Sequence, residues 1–181
     1  MQPRIRDAEP DDAHQLAQTH VAAWQAAYVG ILPDDYLANL SVRERTARWR
    51  EILSDPTQPS TTLLAEDPAT GQCLGLASYG PCRDPDAAPS VGELWMINLH
   101  PSVWRRGIGS RLHDVIIQRL AAAGFRTATL WVIEENDRAR RFYEHHGWKP
   151  DGQSQVHERI TYRVRELRYV RHLPPAPSSG T

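Results

Sequence analysis

The stretch Leu99-His-Pro-Ser-Val-Trp-Arg-Arg-Gly-Ile-Gly-Ser-Arg-Leu112 constrains this chain more than any other. An apolar strand, Glu93 to Leu99, runs into a short Arg/Gly loop, and the loop opens directly onto an amphipathic helix. The first N–H groups of a helix have no partner within it, and the helix dipole leaves partial positive charge at the same end. Such a junction suits a phosphate group. Gly107 and Gly109 are expected to take unusual backbone angles that let a bulky anion approach the chain, with Arg105 and Arg106 adding formal charge beside them. Two other phosphate loops are excluded. A dinucleotide fingerprint needs a third glycine three residues after Gly109, where Leu112 stands. A P-loop needs Gly-Lys-Ser/Thr, which does not occur.

With 181 residues the chain is long enough for one domain with a sizeable core. A net charge of −1 offers neither a nucleic-acid-binding surface nor a polybasic membrane patch. Cys73 and Cys82 are too few for a disulfide scaffold and form no metal-type Cys-x-x-Cys pair. His100, His113, His145 and His146 show no metal-ligand arrangement. No apolar run approaches membrane-spanning length. The expectation is a soluble, cytoplasmic, reduced protein with no metal and no nucleic-acid or membrane partner.

Along the chain, Arg4-Ile5-Arg6 reads as a short strand. A helix follows from about Asp12, with Leu16, His20, Ala23, Trp24 and Ala27 at helical spacing, and ends at Gly30. Pro33-Asp34-Asp35 starts a second helix, and Ser41-Val-Arg-Glu44 is a capping box for a third, to about Leu53. Thr61 to Glu66 and Cys73 to Tyr79 are apolar strands joined by a Pro-Ala-Thr-Gly turn. Gly80 to Ser90 is an irregular connection. After the Glu93 to Leu99 strand, a helix carries Leu112, Val115, Ile116 and Leu120 on one face and stops at Gly124. Thr127 to Ile133 is a β-branched strand, Asn136 to His146 a helix, and the segment through Thr161-Tyr162 and Leu167 to Val170 a final antiparallel pair. The fold class is α/β with a mixed sheet. Residues 1–173 form a single domain, and 174–181, Pro- and Ser-rich, a disordered tail.

Trp104-Arg105-Arg106-Gly107-Ile108-Gly109 resembles the acyl-CoA loop of the GNAT superfamily of N-acetyltransferases, Gln/Arg-x-x-Gly-x-Gly/Ala, with Trp104 where Gln or Arg is usual. Asn136-Asp-Arg-Ala139-Arg-Arg-Phe142-Tyr143-Glu-His-His-Gly147-Trp148 resembles the family's Asn-x-x-Ala-x-x-Phe-Tyr-x-x-x-Gly-Phe signature. The opening, Ile5-Arg6 through Asp11-Asp12-Ala13 and Trp24-x-x-x-Tyr28-x-Gly-Ile-Leu-Pro33, resembles many bacterial members. The resemblance covers Arg4 to Leu173 and implies a mostly antiparallel sheet flanked by helices, with a splayed strand pair that holds CoA.

It further implies an acetyl-CoA-dependent N-acetyltransferase that moves an acetyl group directly to a primary amine of a small molecule, peptide or protein. Asn98 and Leu99 match the strand whose free amides bind pantetheine and thioester. The amides of Arg105, Arg106, Gly107, Ile108, Gly109 and Ser110 match the pyrophosphate loop, and Asn136 and Ala139 belong to the cofactor-side signature. Tyr143 matches the acid that protonates the CoA sulfur; a phenol, with a pKa near 10, lies close enough to a thiol for that transfer. Glu93 is the candidate base, ordered water being the alternative. Asn136 caps its helix, contacts the pantetheine arm, or does both. Trp24 and Tyr28 wall the acceptor site or form a core stripe. Neither cysteine has an activating His neighbour in sequence, so no covalent intermediate is expected. The alternative reading is a non-catalytic acyl-CoA-binding module. The resemblance permits a homodimer and leaves the acceptor open.

Overall fold

The computed structural model describes residues 2–158 and 161–175; most of the expected tail therefore lies outside the described residues. Seven strands form one sheet: β1 (Arg4–Asp7), β2 (Thr61–Glu66), β3 (Cys73–Pro81), β4 (Val91–Leu99), β5 (Thr127–Ile133), β6 (Lys149–Glu158) and β7 (Arg163–His172), in the order β1-β2-β3-β4-β5-β7-β6. Every pairing is antiparallel except β4 with β5. Among the described residues there are also five α-helices, α1 (Ala13–Ala27), α2 (Asp34–Ala38), α3 (Val42–Ser54), α4 (Ile108–Ala122) and α5 (Asp137–His145), and two short 3-10 turns, Pro10–Asp12 and Pro101–Val103.

Period-2 alternation divides the sheet between two cores. Leu63, Ala65 and Ala77 face α4 and join Leu112, Ile116, Leu120, Leu130 and Trp148. Their neighbours Leu64 and Leu76 face the other way, onto Leu16 and Ala17 of α1 and Trp49 of α3. Burying each such leucine or isoleucine stabilises the fold by roughly 1.5–3 kcal/mol relative to leaving it in water. The helical stripe predicted for Leu112, Ile116 and Leu120 is what α4 buries, each at 0% exposure. Ser41 caps α3, accepting from the Glu44 N–H, which is one half of the predicted capping box.

What positions the site is the parting of β4 from β5. Their parallel pairing runs only through Val91↔Thr127, Gly92↔Ala128 and Glu93↔Thr129. β5 then stays with β7 as far as Ile133↔Glu166, while β4 stays with β3 as far as Leu99↔Gly75. A bulge opens the divergence: Ser78 opposes Met96 and Tyr79 opposes Leu94, so Trp95 is the extra residue on β4. An unpaired residue of this kind bends its strand and re-aims the side chains after it.

Candidate acyl-CoA site between the splayed strands

The main-chain groups that face the gap follow from the antiparallel alternation. The His100 N–H donates to the Leu74 carbonyl at 2.9 Å. Pairs two residues apart share that bonded character, so Asn98 is bonded to Leu76 and Met96 to Ser78. The intervening residues, Ile97 and Leu99, turn their N–H and C=O away from β3 into the gap. The Leu99 carbonyl confirms the phase, because it accepts from Trp104 Nε1 at 2.9 Å rather than from β3. Of the two matched residues, Leu99 presents its backbone to the gap and Asn98 does not. Ile97 takes the place expected of Asn98. On the opposite wall, Glu134 N–H bonds to the Arg165 carbonyl, and the same alternation turns Trp131 and Ile133 inward.

The loop after β4 is tight. Gly107, at φ 77°, precedes the first turn of α4 in the left-handed region that costs glycine little. Gly109 has a different reason to be glycine. It is helical, and a Cβ there would come within 3.2 Å of Leu99 Cδ1 and 3.4 Å of Phe142 Cε2. The second unusual backbone angle falls instead on Arg105, at φ 61°. A non-glycine residue held there costs about 1–3 kcal/mol, which the surrounding loop must over-determine. Arg105 and Gly109 line a cavity of about 420 Å³ together with Leu99, Trp104 and Phe142. Arg106, Gly107 and Ser110 lie in the loop and first turn of the helix without lining it, and Ile108 is core.

A second cavity, of about 290 Å³, lies between β4, β5 and the end of α1. The two meet at Ile97, Arg138, Ala139 and Tyr143. Tyr143 thus stands at the junction, only 7% exposed. Burial, reinforced by nearby Tyr28, pushes its phenol above the usual value of 10, so it stays protonated at neutral pH. Burial likewise pushes Tyr28 up to about 12. Trp24 and Tyr28 pack edge-to-face at 5.1 Å and also line the second cavity. Core stripe and cavity wall are both true of them. Asn136 lines it too while its side-chain oxygen accepts the Ala139 N–H at 3.1 Å, capping α5.

Glu93 is elsewhere. It sits where β4 still pairs with β5, 1% exposed, and lines neither cavity. Its carboxylate accepts from the Arg83 main chain at 2.9 Å and is clasped by the Arg83 guanidinium. The structure therefore does not bring the expected base to the junction, because an arginine has already claimed it. Sequence reasoning also missed Arg138, whose guanidinium lies 3.5 Å from the centre of the Trp104 ring and lines both cavities. Arg138 falls inside the Asn136–Trp148 motif, at a position that motif leaves unspecified. Among the described residues no cluster of three His, Cys, Asp or Glu is placed to hold a metal ion, and no helix is long and apolar enough to cross a membrane.

A sheet opened between two parallel strands, a helix N-terminus at its mouth and a buried phenol at its centre define a fold that can take an extended, phosphate-bearing ligand as an added strand. The chain belongs to the acetyltransferase (GNAT) family, whose model matches residues 21–148. An uncharacterized N-acetyltransferase of Bacillus subtilis, YuaI, is 32% identical over 132 residues, covering 73% of this chain and 72% of that protein. The crystal structure of the PaiA N-acetyltransferase of Thermoplasma acidophilum with coenzyme A superposes with a TM-score of 0.74 at 18% identity, over 95% of this chain and 99% of that one. A phosphinothricin acetyltransferase of Sinorhizobium meliloti, solved with AcCoA, gives 0.71 at 18% identity, over 99% and 93%. The protein is an acyltransferase on the GNAT fold.

Proposed function

We propose that this protein transfers the acetyl group of acetyl-CoA directly to a primary amine of a small molecule or peptide. The observation that carries this reading is the meeting of two cavities at Tyr143, one reaching the Arg/Gly loop and the other lined by Trp24 and Tyr28. The inward-facing backbone of Ile97 and Leu99 would receive the pantetheine arm as a partner strand. The amides from Arg105 to Ser110, opening a 15-residue helix, would take the pyrophosphate. The residues fit such a ligand: Gly109 lines the cofactor-side cavity beside Leu99 and Phe142, where any side chain would crowd both.

Bound acetyl-CoA supplies the activated acyl group. The chain's own residues bind it and keep a proton ready. Tyr143 holds that proton on Oη for the departing sulfur. The Ala139 N–H is already engaged by Asn136, so those two residues shape the wall and contact the arm through side-chain atoms. With Glu93 held by Arg83, the acceptor's proton leaves through water in this reading.

Calorimetric titration with acetyl-CoA, free CoA and NADH is the test, followed by CoA release in the presence of amines. Saturable binding of both CoA species but not NADH, with amine-dependent CoA release, is expected. Failure to bind acetyl-CoA would overturn the reading and the residue roles with it.

A further inference from the structure

The cavity on the acceptor side is walled by ring faces and closed by one carboxylate. Trp24 and Tyr28 come from the end of α1, Trp95 from the bulge on β4, Trp131 from β5 and Tyr162 from the start of β7. Two of the indoles have their polar edges already occupied from outside. Trp95 Nε1 donates to the Pro81 carbonyl at 3.2 Å, and Trp131 Nε1 donates to Asp84 Oδ1 at 3.0 Å. Arg83 also stacks on Trp95, 4.3 Å from the ring centre. Arg168 likewise lies over Trp131, 5.8 Å from the ring centre, so what Trp95 and Trp131 offer a ligand is the remaining π face of each rather than N–H donors. Electron-rich ring faces attract a cation, tryptophan most strongly, and accept a flat apolar group equally well.

Charge in the cavity is polarised. Among the described residues Glu166 is the one carboxylate that lines it, and it lines only this cavity; one of its oxygens accepts from Gln155 Nε2 at 2.8 Å. Arg138 stands at the junction with the cofactor side. His157 is the remaining basic side chain on the wall. A ligand with one ammonium group finds one carboxylate. A second ammonium would find none among the described residues and would meet Arg138.

Resting on the reading that this is an amine acetyltransferase, we infer that the acceptor is a small monocationic primary amine with an aromatic or similarly flat apolar body, held by Glu166 and the Trp95 and Trp131 faces. Polyamines and lysine side chains of peptides fit this cavity poorly. The first carry several charges, and the second bring a polar backbone into a space of about 290 Å³, at the small end of ligand pockets. Neither Glu166 nor Trp131 was distinguished by the sequence, and neither touches the Arg/Gly loop.

The test is calorimetric titration of the CoA-saturated protein with 2-phenylethylamine and with spermidine, repeated on Glu166→Gln and Trp131→Leu. The expected result is that 2-phenylethylamine binds about tenfold or more tightly than spermidine, and that each substitution weakens it about fivefold, the size of one ring–cation or ion-pair contact in a half-exposed site. CoA affinity should not change. Glu166→Gln keeps the side-chain volume and decides the matter should Trp131→Leu fail to fold. Equal or tighter spermidine binding, no binding of 2-phenylethylamine, or unchanged binding in Glu166→Gln overturns the inference. A parallel CoA-release assay separates the two readings. Amine binding without turnover keeps the cavity assignment and sinks transfer; turnover of spermidine or a lysine peptide without arylalkylamine binding does the reverse.

Discussion

Trp104 Nε1 donates to the main-chain carbonyl of Leu99, tying the loop that leaves β4 back onto the last residue of that strand. The same indole carries the Arg138 guanidinium on its face, so one side chain joins strand, loop and α5 at the mouth of the cleft. Related loops place Gln or Arg at this position, and here the indole supplies both a donor and a platform.

Trp104→Ala should therefore weaken CoA binding about tenfold. One neutral hydrogen bond contributes about 1 kcal/mol and a cation–π contact about 0.5–2 kcal/mol, and part of each is recovered from water. Trp104→Gln restores a donor but no platform and should fall between the two. Calorimetric CoA titration of the three proteins reads this directly; equal affinity in Trp104→Ala would show that the loop holds its shape without the indole.

Tyr143→Phe keeps the ring that packs on Phe142 at 5.4 Å and Trp148 at 6.3 Å while removing the phenolic proton. Fold and acetyl-CoA affinity should survive, and kcat should fall on the order of 10²-fold, the usual contribution of a positioned acid. Because burial holds the phenol above its ordinary value, the wild-type rate should show no tyrosine limb below pH 10. Unchanged turnover in Tyr143→Phe at saturating acetyl-CoA would remove the residue from the mechanism.

Glu93 and Arg83 make the contrasting case, in which a residue expected in catalysis reads as structural. Arg83→Ala leaves a fully buried carboxylate with only the residue-83 N–H to answer it. The Arg83 side chain is 54% exposed, so water screens the pair and the loss should sit below that of a wholly buried one, at about 1–3 kcal/mol. Thermal unfolding should show a midpoint lower by several degrees. Glu93→Gln should leave the pH–rate profile at its wild-type shape. A profile displaced at low pH would return Glu93 to the chemistry.

The features legible in the sequence were those written locally. The α4 stripe of Leu112, Ile116 and Leu120, the Ser41 helix cap and the Arg/Gly strand-to-helix junction each lie within one short segment, and the structure reproduces them. The phase of β4 was not local. Whether Ile97 or Asn98 faces the gap is a one-residue question settled by Gly75 and Leu76, more than twenty positions upstream. The pairing of Glu93 was not local either, because its partner Arg83 sits in an irregular connection with no pattern of its own. Glu166 and Trp131 belong to strands read for their apolar content, and nothing in either strand alone says that they line one space. The exposure of nearly all of β6 removes the alternation from which a strand is read, so its ten residues were legible only as half of a final pair.

Two buried histidines should make the protein acid-sensitive well above the carboxylate range. Burial, with Arg45 adding to it, pulls His20 down to about 3, and its two ring nitrogens find no hydrogen-bond partner among the described residues. Burial pulls His113 down to about 4, with His146 and Arg171 opposing its charge and Asp114 favouring it. His113 Nε2 must keep its lone pair to accept from Trp148 Nε1 at 2.9 Å. In the unfolded chain both imidazoles titrate near 6.5. Above that pH neither state is protonated and the full stability is present. As pH falls from 6.5 towards 4 the unfolded chain takes up two protons that the folded chain refuses, and stability drains away at up to about 1.4 kcal/mol per pH unit for each group. The depressed Asp12 and Asp55 act only below their ordinary value of 3.8, outside this window. The denaturation midpoint should fall steadily from pH 7 to pH 4.5. His20→Phe, which keeps a ring between Trp24 and Trp49, should make that fall shallower by one proton and raise stability at every pH in the range. An identical slope in His20→Phe and wild type would mean that His20 is already protonated, or solvated, in the folded chain.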